Sequence, residues 1–427
     1  PYNPPALTDL DKMKIDGALM GRGQHCQFGF EPVNLNTGNF YMDETDVSMN
    51  ELGGAFEIGR GYNSLSAEMN SMFGRGWSFS FDQALYPAGN GELMYKRGDG
   101  SYLFFTPNGN GTYTAPDGYT YTLQEITYQE TAEDGSIVNV KGWLMTDADQ
   151  SKLFFDKYGV LKSITDVNGF VTTLSYDADH NLSSITTPSG KKFGIIQNDR
   201  GFIACITLPD GSNLTYDYDA NDNLISATNA NGDARTYKYD ANHRMTSWAD
   251  ENGNLVIKNV YDDEGRVIKQ TDANGGIATL IYGENTTTTI DNEGNKTVYK
   301  YDDNKRTIAI TYPDGSWVKN VYNDNNQLAS ETTAKGTKKY TYDSFGNIAT
   351  ETREDGAVAI YQYNAQNKLI SATGYEGGTV TYAYDSAGNM VSYTQADGSK
   401  VSYTYHSLHR LISQTDGRNW IDRKSVV

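Results

Sequence analysis

The sequence predicts an all-β protein, a tandem array of β-hairpins wound into a curved, spiralling antiparallel sheet. Three observations carry this. An aromatic-Asp dipeptide recurs about every 21 residues, a glycine recurs at a fixed offset from it, and tyrosines alternate along the segments between. A period of roughly 20–50 residues marks an array in which each unit buries its apolar face only against its neighbours.

The anchors are Phe155, Tyr176, Gln197, Tyr218, Tyr239, Tyr261, Tyr282, Tyr301, Tyr322, Tyr342, Tyr363, Tyr384 and Tyr405, spaced 19 to 22 residues apart. Asp follows the anchor at Asp177, Asp219, Asp240, Asp262, Asp302, Asp343 and Asp385. A carboxylate there can accept from backbone N–H groups two residues on and close a turn. An apolar residue follows the anchor by six, as at Leu161, Leu224, Met245 and Leu369, and a glycine by 14. Asn168-Gly169, Asp210-Gly211, Asp314-Gly315 and Asp397-Gly398 tolerate positive φ and suit hairpin turns.

Tyrosines two apart, such as Tyr216/Tyr218, Tyr237/Tyr239 and Tyr382/Tyr384, share one strand face. Stacked across units they are expected to form aromatic ladders, worth roughly 0.2–1 kcal/mol per cross-strand pair. A lone hairpin is marginal, so stability must come from lateral stacking. One unit departs: Gly283 follows Tyr282, and Thr286-Thr287-Thr288-Thr289 replaces the apolar site. A deformed turn or a bulge is expected there.

Composition narrows the function. Against 35 basic residues stand 54 acidic ones, a net charge of −19 in 427 residues. Such a surface argues against nucleic acid and anionic lipid as partners. Aromatics at 12% separate the chain from disordered acidic polypeptides. No apolar stretch is long enough for a membrane-spanning helix. The chain starts at Pro1, so nothing about export follows from the lack of a visible signal peptide. Cys26 and Cys205 are expected to be two unrelated thiols.

No catalytic, metal or cofactor constellation emerges. His180, His243 and His409 share a slot four after the anchor where glycine and asparagine also occur, which favours a positive-φ turn role. His406 and His409 lack further ligands nearby, and the repeated Asp residues follow no calcium-loop pattern. Neighbouring carboxylates such as Asp262/Asp263 and Asp302/Asp303 point apart on a strand or turn, unlike a glycosidase pair. The expectation is a non-enzymatic protein.

The chain divides into an irregular leader (1–30), an N-terminal β domain (31–154), the repeat array of about 13 units (155–421) and a tail (422–427). The tail, Asp422-Arg423-Lys424-Ser425-Val426-Val427, reads like translated sequencing adapter and is expected to be non-native. Cloning from source DNA checks this, and a native stop after the same six residues would refute it.

The N-terminal domain carries the most specific signal. Glu31-Pro32-Val33-Asn34-Leu35-Asn36-Thr37-Gly38-Asn39-Phe40 resembles the DPV-x(3)-TG-x-F motif of Rhs-family proteins, with Glu31 in place of the usual Asp. Arg60-Gly61-Tyr62-Asn63-Ser64 resembles their R-x-Y-x-S strand, and Phe73-Gly74-Arg75-Gly76-Trp77-Ser78 their FG-x-GW-S turn. The repeats resemble the family's YD repeats, shared with the C component of Tc toxins and the teneurins. The resemblance covers roughly residues 31–415.

It implies a hollow shell around a variable C-terminal toxin, exported or presented at the cell surface in competition between bacteria. The family's closing core and self-cleavage aspartate have no counterpart in this sequence, so no residue inherits that role. The implied partners are a C-terminal toxin domain and secretion machinery. The alternative is a cell-surface adhesin that binds glycans through its Tyr-rich repeats.

Overall fold

The computed structural model describes residue 14 and residues 17–21, 28–29, 32–132, 134–406, 411–416 and 421–422. Glu31, His25, Cys26, His409 and residues 423–427 lie outside the described residues. Asp422, at the head of the expected non-native tail, pairs with Gln414.

One antiparallel ladder dominates. It begins at Ala84–Pro87 and runs strand by strand to Ile421–Asp422. Each strand pairs with its sequence neighbours, and among the described residues the last strand pairs only with the one before it. The ladder is therefore an open ribbon. It passes through residues 154 and 155 without a break, since Lys152–Phe155 pairs with strands on both sides.

The ribbon coils on itself. The Asn326 side chain donates to the Asp117 carbonyl, 209 residues away, and Asn367 donates to the Ala148 carbonyl, 219 away. A Cβ on Gly346 would meet Thr120, and one on Gly388 would meet Asn168. About ten units therefore complete one wrap, and the next wrap settles turn on turn against it.

Each repeat is built as the sequence predicts, with one addition. The Asp219 carboxylate accepts from the N–H groups of Asn221 (2.8 Å) and Asn223 (2.9 Å), and Asp177, Asp240, Asp262, Asp343 and Asp385 do likewise. Asp302 accepts from Arg306 N–H at 2.9 Å. His180 and His243 occupy the left-handed slot at φ 63° and 61°. The addition is a β-bulge. Asp217 pairs with Ser226 but Tyr218 with Leu224, leaving Ile225 as the extra residue on its strand. The same register shift occurs at every anchor except Tyr282.

Two expectations are sharpened and one is corrected. The Asn-Gly and Asp-Gly steps sit in hairpin turns as expected, and the positive φ falls on the glycine, which follows a type I turn. Of the deformed turn or bulge expected at the Tyr282 unit, the structure shows the turn, shortened between Gly283 and Thr286 with no register shift, so this unit lacks the bulge that the others carry. Among the described residues the aromatic ladder does not form, because two strands per unit set equivalent tyrosines about 9.5 Å apart, beyond ring-stacking range.

Residues 32–82 form a separate block against the first wrap. Tyr41–Glu51 pairs with Gly54–Asn63, which pairs with Trp77–Phe79. Val33, Phe40, Ile58, Phe73 and Phe79 are buried, and they share one core with Leu161, Leu182, Ile203, Leu224 and Met245 of the repeats. That core ends at Leu280.

Candidate functional site: the interface of the motif block with the repeat wall

The bulge creates the site. The extra residue beside each apolar residue interrupts the regular ladder there, and the apolar residue's carbonyl and N–H find partners outside it. The anchor tyrosine of the next unit supplies the first. Tyr218 donates its hydroxyl to Ile203 O (2.7 Å), Tyr239 to Leu224 O (2.7 Å), and Tyr261 to Met245 O (2.6 Å). Tyr176, Tyr342 and Tyr384 repeat this bond. Gln197, the one amide among the anchors, reaches Leu182 O through its side chain at 3.5 Å. Tyr301 is buried, and its N–H donates to Asn285 O at 2.9 Å.

The motif block supplies partners for the N–H groups. Ile203 N donates to Met72 O (2.7 Å), Met245 N to the Tyr62 hydroxyl (2.7 Å), and Val267 N to Gly38 O (2.9 Å). The Tyr62 hydroxyl in turn donates to His243 O at 3.1 Å. Arg75 N donates to Asp222 O, and Leu85 N to Gly159 O. Thr287, in the threonine run, donates to Leu35 O at 2.6 Å, and Asn36 donates to Lys305 O. The motif residues thus dock on successive units from Ile203 to Lys305, and Leu85 in the first strand of the ribbon adds the bond to Gly159.

This docking explains the glycines. Gly38 has φ +74°, and a Cβ would stand 2.3 Å from the Arg266 side chain. Gly74 has φ +85°, and its Cβ would stand 2.3 Å from Asp222 O. Gly76 lies against the Tyr62 ring. Pro32 O accepts from Tyr41 N, Val33 is fully buried, and the Thr37 hydroxyl accepts from Asn39 N at 3.3 Å, shaping the loop that carries Gly38.

At the centre lies a buried ion pair. A bulge at Asp46, between the pairs Thr45/Gly59 and Val47/Ile58, turns its carboxylate toward Arg60. Arg60 donates twice to Asp46, at 2.8 and 3.1 Å, and once to the Tyr237 hydroxyl at 3.0 Å. Tyr216 donates to the same carboxylate at 2.9 Å. The guanidinium stacks 4.7 Å from Trp77 and within 5.7 Å of Tyr216 and Tyr237. Burial alone would lower its pKa, but Asp46 and the tyrosines outweigh this and hold it well above the usual value. Trp77 donates to the Tyr239 hydroxyl at 2.9 Å. Burial pushes the Tyr62 and Tyr239 hydroxyls up, so both stay protonated.

These groups pack on one another and, apart from Arg60 Nη1, which is buried without a hydrogen-bond partner, are paired, which is the chemistry of a structural keystone. Among the described residues no three His, Cys, Asp or Glu side chains gather to hold a metal. Cys205 is a free, half-buried thiol. Sequence reasoning placed the tyrosines and the motif residues, but not the bulge that joins them.

The RHS Repeat family matches residues 155–192, 198–234, 218–255, 322–358, 363–400 and 384–419, and a domain of unknown function, DUF6531, matches residues 30–105. The chain is an Rhs/YD-repeat protein. It is 26% identical over 332 residues to the tRNA nuclease WapA of Bacillus subtilis strain 168, and equally to a tRNA3(Ser)-specific WapA of Bacillus spizizenii. These matches cover 76% of this chain but only 12% of each relative. Among solved structures, a TcdB2-TccC3-Cdc42 structure matches 88% of this chain and 24% of that chain, at 14% identity and a TM-score of 0.45. A Photorhabdus luminescens Tc holotoxin pore matches the same shares at 13% identity and the same TM-score. No helix among the described residues is long and apolar enough to cross a membrane.

Proposed function

We propose that this chain is a wall segment of an Rhs-type toxin shell that encloses a C-terminal effector polypeptide, and that the wall itself catalyses nothing. The observation that carries this reading is the change along the inner face. Through Leu280 that face is sealed by the motif block, whereas Tyr340, Tyr361, Tyr382 and Tyr403 occupy the same position half-exposed. A wall of this form offers a lumen surface beyond its plug. The WapA relatives are named as tRNA nucleases, which supports a nuclease-class effector, and the Rhs resemblance supports bacterial competition with export or cell-surface display.

The test is to express the source gene with the sequence that follows the array and digest it with protease. The expected result is a downstream segment that resists cleavage until the wall is opened with denaturant. Cleavage at the rate of the isolated segment would refute enclosure. One observation favours a second reading: Tyr393 and Tyr403 lie 6.4 Å apart on the half-exposed stretch, a spacing that suits sugar stacking. Glycan-array binding abolished by Tyr403→Ala would establish the adhesin instead.

A further inference from the structure

One hairpin outgrows the ribbon. Thr122–Thr131 and Ile137–Thr146 have ten residues each, where the repeat strands from Leu161 to Asp416 have five to seven. The two pair in full, from Thr122↔Thr146 to Thr131↔Ile137, with no register shift. Their outer neighbours stop short. Thr112–Thr114 reaches only to Gln124, and Lys152–Phe155 only to Trp143. Residues 126–131 and 137–142 therefore stand out from the ribbon as a two-stranded arm, roughly 20 Å long.

The base of the arm is held in place. Gly142 makes room for Tyr128, since a Cβ there would stand 2.9 Å from its ring. Tyr128 meets Phe154 edge-on at 5.0 Å, and its hydroxyl accepts from Lys157 N at 3.1 Å. Glu130 accepts from Lys157 Nζ and Glu125 from Lys141 Nζ, each at 2.8 Å. The tip closes with Ala132 N–H to Ser136 O and Gly135 N–H to Ala132 O. That closure fixes which way the backbone points. Ser136 faces the partner strand, so by alternation Val138 and Val140 bond inward, while Ile137, Asn139 and Lys141 turn their N–H and C=O away. Trp143 and Met145 continue this outward set, and they pair with Phe155 and Leu153. Among the described residues nothing pairs with the outward groups of Ile137, Asn139 and Lys141.

An unpaired edge is a template for another strand, and proteins blunt it with proline, a bulge or short length. The ribbon's first strand does so. Ala84–Pro87 has four residues, ends in proline and turns Leu85 N–H onto Gly159 O. The arm has no proline, no bulge and full length, and its one lysine is turned onto Glu125. Ile137 is left 69% and Val138 38% exposed.

We propose that the free edge of Ile137–Lys141 is a docking site for an extended, basic segment of a partner polypeptide, added antiparallel as a further strand. Such a strand would continue the line of Lys152–Phe155, which already pairs antiparallel with the same strand. Its β-branched residues would pack beside Val138 and Val140. The arm sets the charge, because residues 125–142 hold four carboxylates and one lysine. Lysines already bridge two of those carboxylates, Glu125 and Glu130. Asp134, at the tip, accepts from Ser136 N–H and Oγ through one oxygen and leaves the other open. A second copy fits poorly, since two such arms would set like charges side by side. The inference does not depend on enclosure of an effector, so either can fail alone.

The experiment adds to the full chain a synthetic peptide of alternating valine and lysine, or one of alternating valine and glutamate, and follows amide hydrogen exchange. The lysine peptide should slow exchange at Ile137, Asn139 and Lys141 by about tenfold, with Leu369–Thr373 unchanged and the glutamate peptide inert. No slowing by the lysine peptide, or equal slowing by both, would overturn the proposal. Protection of these amides that rises with protein concentration in the absence of peptide would assign the edge to a second copy and overturn it too. Asn139→Pro removes an outward donor and should abolish the slowing, while retained protection at Val138 and Val140 reports an intact arm. A second variant keeps the test independent of that proline. Val138→Lys with Val140→Lys leaves every backbone bond in place and should abolish the slowing by like-charge repulsion, and undiminished slowing there would overturn the charge assignment.

Discussion

The same repeat behaves differently in the first wrap and after it. From Leu161 to Val267 the apolar residue after each anchor is fully buried, but Leu328, Ile348, Leu369 and Met390 in the same slot are half-exposed, and Leu411 is 43% exposed. The strands, turns and bulges are alike in both regions. Only the motif block differs, since it covers the inner face of the early units. Local rules therefore build the ribbon, and a separate block decides which part becomes core. In a quasi-one-dimensional array each region opens locally, so native-state hydrogen exchange is the measurement that resolves them.

The comparison can be broken most directly at the keystone. Arg60→Ala leaves Asp46 buried without its partner and should cost about 3–5 kcal/mol in the first wrap. Replacing both, Arg60→Met with Asp46→Leu, should restore most of that. Arg306→Ala removes a more exposed pair with Asp302, and should cost about 1 kcal/mol or less. Equal losses at Arg60 and Arg306 would erase the distinction between the regions.

The apolar slot gives the next largest effect. Leu224→Ala should destabilise its unit by about 2–5 kcal/mol through an unfilled cavity. Leu369→Ala, in the uncovered stretch, should cost about 1 kcal/mol. Enclosure of a polypeptide against Leu369 in a longer chain would raise the second value toward the first, which makes this pair a probe of lumen contents.

Smaller again is the anchor hydroxyl. Tyr239→Phe strands both Leu224 O and the Trp77 indole N–H, and should cost about 1–3 kcal/mol. Tyr384→Phe strands Leu369 O alone, with an expected loss of about 0.5–1.5 kcal/mol. Exchange of the amides flanking each site reads both.

A further effect is pH-dependent and confined to the first wrap. Glu51 is buried at the tip of the block's long hairpin. Burial alone would raise its pKa, but the Ser189 and Thr187 hydroxyls, the Leu52 N–H and Lys191 bring it down to about 2. A depressed carboxylate stabilises the fold above its ordinary pKa of 4.5, and that contribution is lost as pH falls through about 2. Acid titration between those values should loosen the turn at Thr187–Lys191 in the natural chain, and Glu51→Gln should flatten the response.

The sequence by itself determined the hairpins, their turns and their order. Asp at the turn, glycine or asparagine at positive φ and alternating tyrosines are local chemistry, and they act within a few residues of where they are written. The motif residues were legible as a set, yet their purpose was not. Gly38 and Gly74 make sense only beside Arg266 and Asp222, and Arg60 only between Trp77, Tyr216 and Tyr237. The bulge was hidden because a single extra residue per unit leaves the repeat period intact. The coiling was hidden because it rests on contacts about 210–220 residues apart, where side chains of unrelated sequence meet. Tertiary structure decided which tyrosines are core and which face open space, because that depends on what lies across from them and not on their neighbours in the chain.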